Sequence, residues 1–231
     1  MSAASPKKLV IVGASNAEMA KLVRAINRAA SPADATWDLI GYLDDDASRK
    51  GTTFMDRPIL GGVEMILQDR LADVHVVNCV GAPASRRDIA ARLAPAADRV
   101  INLVHPSVDP WGVTMGVGNL ILEGAILGPN TSVGDHTIIS FRAFLGHDVT
   151  IGSYCNIAPG AILSGRCSAG DGVYVGAGAV LLPGVAVGEG ATVGAGSVVT
   201  RGVEAGCTVV GNPARVLRRP AQRDAAGREE A

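Results

Sequence analysis

A six-residue period runs without interruption through the second half of this 231-residue chain, and few polypeptide shapes can accommodate it. Stepping by six from Met115 reaches Ile121, Leu127, Val133 and so on to Val193 and Val199, fifteen apolar positions in succession. Two residues ahead of each stands a small or β-branched residue, Asn119 excepted, and Gly follows in nine cases. The period matches neither the 3.6 residues of an α-helical turn nor the alternation of a long strand. It fits a triangular coil with a short strand on each side and a turn at each corner, so that three hexads close one coil. Five such coils, paired at ~4.8 Å, build a prism on the order of 24 Å tall. The aliphatic residue points to the axis, the small residue fills the interior near a corner, and the Gly that follows is expected to supply backbone angles denied to a residue with a Cβ.

Composition agrees with a narrow interior. Of 29 Gly, 19 lie between Trp111 and Thr200, and the whole chain has only three Phe, three Tyr and two Trp. With 21 Lys+Arg against 22 Asp+Glu, no chain-wide attraction to nucleic acid or an anionic membrane is expected. Cys79, Cys155, Cys167 and Cys207 are far apart in sequence and form no CxxC pair, which favours a reduced, cytoplasmic setting over a zinc knuckle or redox motif. The apolar run Leu9–Val12 is shorter than the ~7–15 residues of a secretory h-region, and no stretch reaches the ~20 apolar residues of a membrane span.

The hexads resemble those of the left-handed parallel β-helix in hexapeptide-repeat acyltransferases. Independently, Val209-Val210-Gly211-Asn212-Pro213-Ala214-Arg215 resembles the loop that follows the last coil in that family and contacts coenzyme A there. The resemblance supplies the handedness, which spacing alone leaves open.

The first hundred residues have a different rhythm. The strand Lys8–Val12 ends in Gly13-Ala14-Ser15 and leads into a helix over Ala17–Ala29. Further strands are expected at Leu39–Leu43, Val74–Val80 and Val100–Val104, with helices at Val63–Asp69 and Ser85–Leu93. Alternation of this kind points to a small parallel α/β unit. Its first loop lacks the second and third glycines of GxGxxG, so a plain strand-to-helix turn remains open. Leu43-Asp44-Asp45 and Val80-Gly81 also fall at the carboxyl edge of the sheet, where open α/β folds bind ligands. A solvated Asp-rich turn over Asp44–Asp46 is the alternative reading of the acidic pair.

The fold class expected is therefore α/β plus all-β. A Rossmann-like unit over residues 1–105 precedes a left-handed β-helix over 106–217, with a frayed tail over 218–231. This order resembles the bacterial nucleotide-sugar acyltransferases, which include sialic acid O-acetyltransferases and UDP-4-amino-sugar or GDP-perosamine N-acetyltransferases. The resemblance implies that Gly13, Ser15, Asp44, Asp45 and Gly81 hold the nucleotide of the sugar. Many members have a second Gly and a His in the first loop, where this chain has Asn16 and Ala17. It further implies acetyl-CoA as cosubstrate, contacted by Asn156, Gly165, Ala177 and Ala195 along the edges of successive coils and by Gly211 and Pro213 in the closing loop. A homotrimer with active sites between subunits is implied as well.

Acyl transfer from a thioester needs a base for the nucleophile's proton, and imidazole, with a reference pKa of ~6.5, suits that task. Of the four histidines, His75 opens a buried strand and reads as structural, and His105, ahead of Pro106, reads as a linker contact. His136 reads as an exposed corner. His147, in Gly146-His147-Asp148-Val149-Thr150-Ile151-Gly152, also falls at a corner, open to solvent. Spacing leaves its role open, whereas the resemblance implies that His147 is the base and Asp148 its orienting acid. Neighbouring strand residues point to opposite faces, so the two can meet only if the corner turns the chain. Positions that share an edge recur every third hexad, and His136 and His147 are separated by less than two hexads, so they cannot be stacked. This argues against a three-histidine zinc carbonic anhydrase, and no metal is expected. The expected activity is acetyl-CoA-dependent N-acetylation of a nucleotide-linked 4-amino sugar. O-acetylation of a sialic acid and a non-catalytic binding role stand as alternatives.

Overall fold

In the computed structural model, residues 5–31 and 36–219 are described, and they form two packed units. In the first, strands β1 (Lys7–Val12), β2 (Trp37–Leu43), β3 (Thr53–Phe54), β4 (Arg57–Gly61) and β5 (His75–Asn78) make a sheet in the order β3-β4-β2-β1-β5. All neighbours are parallel except the β3–β4 hairpin. The continuous apolar run Leu9–Val12 is buried because helices cover both faces of the sheet. Leu9 and Ile11 meet Met19, Leu22 and Val23 of α1 (Glu18–Ala29), and Val10 and Val12 meet Ile89 and Leu93 of α2 (Pro83–Leu93). The segment expected to be an α-helix from Val63 is a 3-10 helix ending at Leu67.

The second unit is the left-handed parallel β-helix, with three flat faces. The first face stacks strands from Val113–Met115 to Ala186–Val187, and the third stacks strands from Ile126–Leu127 to Val198–Val199. The second begins at β6 (Leu103–Val104), which pairs with Leu120–Ile121 ahead of the boundary expected at residue 105. It ends in the antiparallel hairpin Thr208–Gly211/Ala214–Arg218. Successive coils pair three hexads apart, as Phe144 with Ile162 and Ile162 with Val180. The interior is aliphatic and closely stacked, with Leu145, Ile157, Leu163, Val175 and Leu181 fully buried. The N-terminal unit sits on the second face, where the outward side chains Leu120 and Ile138 join the cluster of Leu9, Met19 and Leu22.

The glycines divide the labour differently from the expectation above. Left-handed backbone recurs at every sixth residue from Gly112 to Gly196, with φ between 52° and 73°, three positions ahead of each axial aliphatic residue. The Gly after the axial residue has ordinary angles and is needed for close approach. A Cβ at Gly128, for example, would lie 2.5 Å from the main-chain carbon of Gly146 in the next coil. Of the expected tail, Arg218 ends the last strand and Arg219 donates to the Glu204 carboxylate at 2.7 Å, whereas 220–231 fall outside the described residues.

Candidate active site

Three columns of corners run along the prism, and nine of the fifteen left-handed positions are Gly. The other six are Asn130, His136, Arg142, Asp148, Tyr154 and Arg166, all clustered in the coils around His147. A side chain in this conformation costs roughly 1–2 kcal/mol, and among these six only Asn, Asp and His are enriched there. The middle of the prism thus keeps side chains at corners where the ends have none.

The first edge, between the third and first faces, carries Asn130, Asp148 and Arg166 in successive coils. At Asp148, φ of 58° turns the chain so that the side chains of two adjacent residues converge. Nδ1 of His147 lies 2.7 Å from Oδ2 of Asp148, and Asn130 Nδ2 donates to the other oxygen at 3.2 Å. Hydrogen bonds from His147 and then Asn130 hold the Asp148 carboxyl below its ordinary pKa. An ionised carboxylate only accepts, so Nδ1 carries the proton and Nε2 of a neutral ring offers its lone pair. The imidazole is about half exposed. Gly165 lies directly beside it, for a Cβ there would stand 2.5 Å from Nε2.

The remaining residues expected to contact coenzyme A fall on different edges. Ala177 and Ala195 are stacked neighbours on the third edge, between the second and third faces, where Gly196 N donates to Ala177 O at 2.8 Å. The closing hairpin reaches the same edge, with Gly211 N donating to Ser197 Oγ at 3.1 Å and Pro213 in its turn. Asn156 stands apart from both groups. Its Nδ2 donates to Gly81 O at 3.3 Å, against the N-terminal unit.

Gly13, Ser15, Asp44, Asp45 and Gly81 do gather at the carboxyl edge of the N-terminal sheet, but the acidic pair is largely committed to protein groups. Asp44 Oδ2 accepts from Ala14 N at 3.1 Å and from Arg49 Nη1 at 2.7 Å. Asp45 accepts from Val63 N at 3.0 Å and pairs with Arg92, whose hydrogen bond holds its carboxyl below the usual range. Gly13 has φ of 96°, while Ser15 and Gly81 are exposed. This group belongs to the unit on the second face, and His147 projects from the opposite edge of the same chain.

Among the other histidines, His75 packs edge-on to Trp37, and His105 accepts from Ser107 N at 3.1 Å within the linker. His136 corrects the expectation of an exposed corner. It is 7% exposed, its ring stacks on Tyr154, and burial lowers its pKa. Among the described residues, no group of three or more His, Cys, Asp or Glu could hold a metal ion. No described helix is long and apolar enough to cross a membrane.

One feature of the surface carries no sequence motif. A cleft of about 800 Å³ separates α1 from the third edge and is lined by Glu18, Lys21, Ser107, Glu123, Phe141 and Arg142. It joins two stretches that are distant in sequence, so only the packing of the units reveals it.

A family profile described as bacterial transferase hexapeptide (six repeats) matches residues 130–165 and 170–201. A search of curated proteins finds no match. Among solved structures, the acetyltransferase domain of PglB from Neisseria gonorrhoeae is 29% identical with a TM-score of 0.77, covering 91% of this chain and 100% of that one. WeeI from Acinetobacter baumannii is 28% identical with a TM-score of 0.77, covering 93% and 100%. PerB from Caulobacter crescentus, solved with CoA and GDP-perosamine, is 26% identical with a TM-score of 0.76, covering 90% and 96%. The PglB domain has also been solved with acetyl coenzyme A. These likenesses span both units, and the repeat match falls on the coils that carry the His147–Asp148 pair. The chain is an acyltransferase that carries the hexapeptide repeat of bacterial transferases and is similar over both units to these acetyltransferases.

Proposed function

We propose that this protein transfers the acetyl group of acetyl-CoA to the amine of a nucleotide-linked amino sugar. The observation that carries the reading is the His147–Asp148 pair at 2.7 Å, with Nε2 free beside the side-chain-less Gly165. Nε2 takes the proton of the amine as its nitrogen bonds to the thioester carbon. Collapse of the tetrahedral adduct breaks the carbon–sulfur bond, and the proton passes to the departing thiolate. Asp148 holds the ring and stabilises the imidazolium formed on the way. PerB, which binds GDP-perosamine and CoA, supports this acceptor class and cosubstrate. Buried, unpaired cysteines at all four positions support a cytoplasmic setting.

The site is completed between subunits of a homotrimer. The outward positions of the third face are Ile126, Phe144, Ile162, Val180 and Val198, an apolar column of which the first three are among the exposed large hydrophobics. The first face presents Thr114, Ser132, Thr150, Ser168 and Ala186 instead. Turning the apolar faces toward a common three-fold axis sets the first edge of each protomer, with His147 and Gly165, beside the third edge of the next. That neighbouring edge carries Ala177, Ala195, the hairpin turn with Gly211 and Pro213, and the cleft under α1. Coenzyme A lies between the two edges. The acceptor, held through Gly13, Ser15, Asp44, Asp45 and Gly81 of one protomer, enters from its cleft toward the base of the next. Ile162→Glu is expected to yield monomers in sedimentation and to abolish acetyl transfer, since each of three copies of a side chain 39% exposed in the protomer loses roughly 1 kcal/mol of burial and places an unpaired carboxylate in the apolar seam. A trimer of full activity would refute the arrangement.

Acetyl transfer to UDP- and GDP-linked 4-amino sugars, run beside free sialic acid, tests the activity. Amide formation with CoA release is expected. O-acetylation of sialic acid with no amide product would move the acceptor to a hydroxyl, and failure to bind acetyl-CoA in calorimetry would restore a non-catalytic binding role.

A further inference from the structure

Arg86, on the first turn of α2, is 0% exposed and faces no carboxylate. A buried guanidinium has five N–H donors to satisfy. Here all five go to main-chain carbonyls. Nε donates to His136 O at 2.7 Å, Nη1 to Val80 O at 2.7 Å and Gly81 O at 2.9 Å, and Nη2 to Tyr154 O and Cys155 O, both at 2.9 Å. Two acceptors belong to the loop after β5, at the carboxyl edge of the N-terminal sheet. Three belong to the second edge of the prism, in two successive coils. Both corners, His136 and Tyr154, hold left-handed angles while bearing large side chains, with their rings stacked and Arg87 over the Tyr154 ring. Asn156 Nδ2 adds a bond to the same Gly81 carbonyl. The planar fork thus bonds one loop and two coils at once, a pattern that an ammonium group, with three donors, cannot reproduce.

We propose that Arg86 is a positioning residue: it fixes the Val80–Gly81 loop on the prism, and with it the direction in which an acceptor anchored on the N-terminal unit is presented to the base. The inference rests on the functional reading above for the existence of that anchored acceptor. Since a misplacement of about 1 Å can cost ~100-fold in rate, the lock matters for anchored acceptors and not for ones that arrive unanchored.

The test uses the full chain as R86K and R86M, with three readings taken below each variant's melting temperature. Turnover of the nucleotide-linked amino sugar is expected to fall ~100-fold in kcat/KM in both variants. The KM for acetyl-CoA should stay within about twofold, and so should the slow turnover of the same amino sugar without its nucleotide. Equal losses with both acceptors, or none with either, would overturn the proposal. Hydrogen exchange reads the lock without any substrate. Amides of residues 80–82, 136–138 and 154–156 should lose protection in R86K while the rest of both units keeps theirs, and unchanged exchange would overturn it. A parent protein that acetylates no nucleotide-linked sugar would instead refute the functional reading, leaving the exchange result to decide on the lock.

Discussion

His147→Ala is expected to lower kcat for acetyl transfer by about 10²–10⁴-fold while leaving the melting temperature within a degree or two of the parent. Removal of the ring deprives the attacking amine of the base that takes its proton, and no second imidazole is on the same edge to replace it, since His136 is buried on another column. The fold should tolerate the change because the ring is about half exposed and its hydrogen bond is with the neighbouring Asp148, not with another coil. Stopped assays following CoA release, with circular dichroism melting on the same samples, would measure both quantities. Full turnover by the alanine variant would remove His147 from the mechanism.

A single methyl group one coil away should be nearly as damaging. Gly165 does not have left-handed angles, so Gly165→Ala is compatible with its backbone, yet the new Cβ would lie 2.5 Å from His147 Nε2. Carbon and nitrogen do not approach so closely without bonding, and the mobile partner is the ring. Rotating away breaks the 2.7 Å bond to Asp148, and staying would cover the nitrogen that takes the proton. We expect kcat to fall by ~100-fold, with a rise in the KM for acetyl-CoA if pantetheine also passes over this glycine, and little change in stability. A crystal structure of the variant should show the imidazole displaced. Unimpaired turnover would show that the base has room this structure does not reveal.

The prism was legible because its rule is local and repeated: an axial aliphatic residue every six positions leaves almost no other geometry. The α/β unit was legible in outline from Leu9–Val12 and the α1 pattern. The β3–β4 hairpin was missed because its turn, Met55-Asp56, takes left-handed angles at both residues without a Gly to signal it. The chemistry of His147 and Asp148 was readable as a motif, but their contact depended on the φ of one corner, which no periodicity encodes. That Asn156 lies on a different edge from Gly165 emerges only from a count in steps of three hexads, because corner-adjacent positions look alike in sequence. Arg86 was invisible for a different reason. An Arg on a helix reads as solvated, and its five acceptors are main-chain oxygens that carry no sequence signal at all.

The pairing of every hexad with the third one after it also determines how this protein can change length over evolution. One inserted residue between His147 and Gly165 would put the corners and axial residues beyond it one place out of step with the coils before it, separating Gly165 from His147. Gains and losses within the prism are therefore quantised in whole coils, and loops that project from a corner are the alternative. A departure from the count comes at the end of the stack, past the last complete coil. Thr192 pairs with Tyr174, three full hexads back, whereas its partner on the other side, Thr208, comes two positions short of that count, at the last coil before the hairpin.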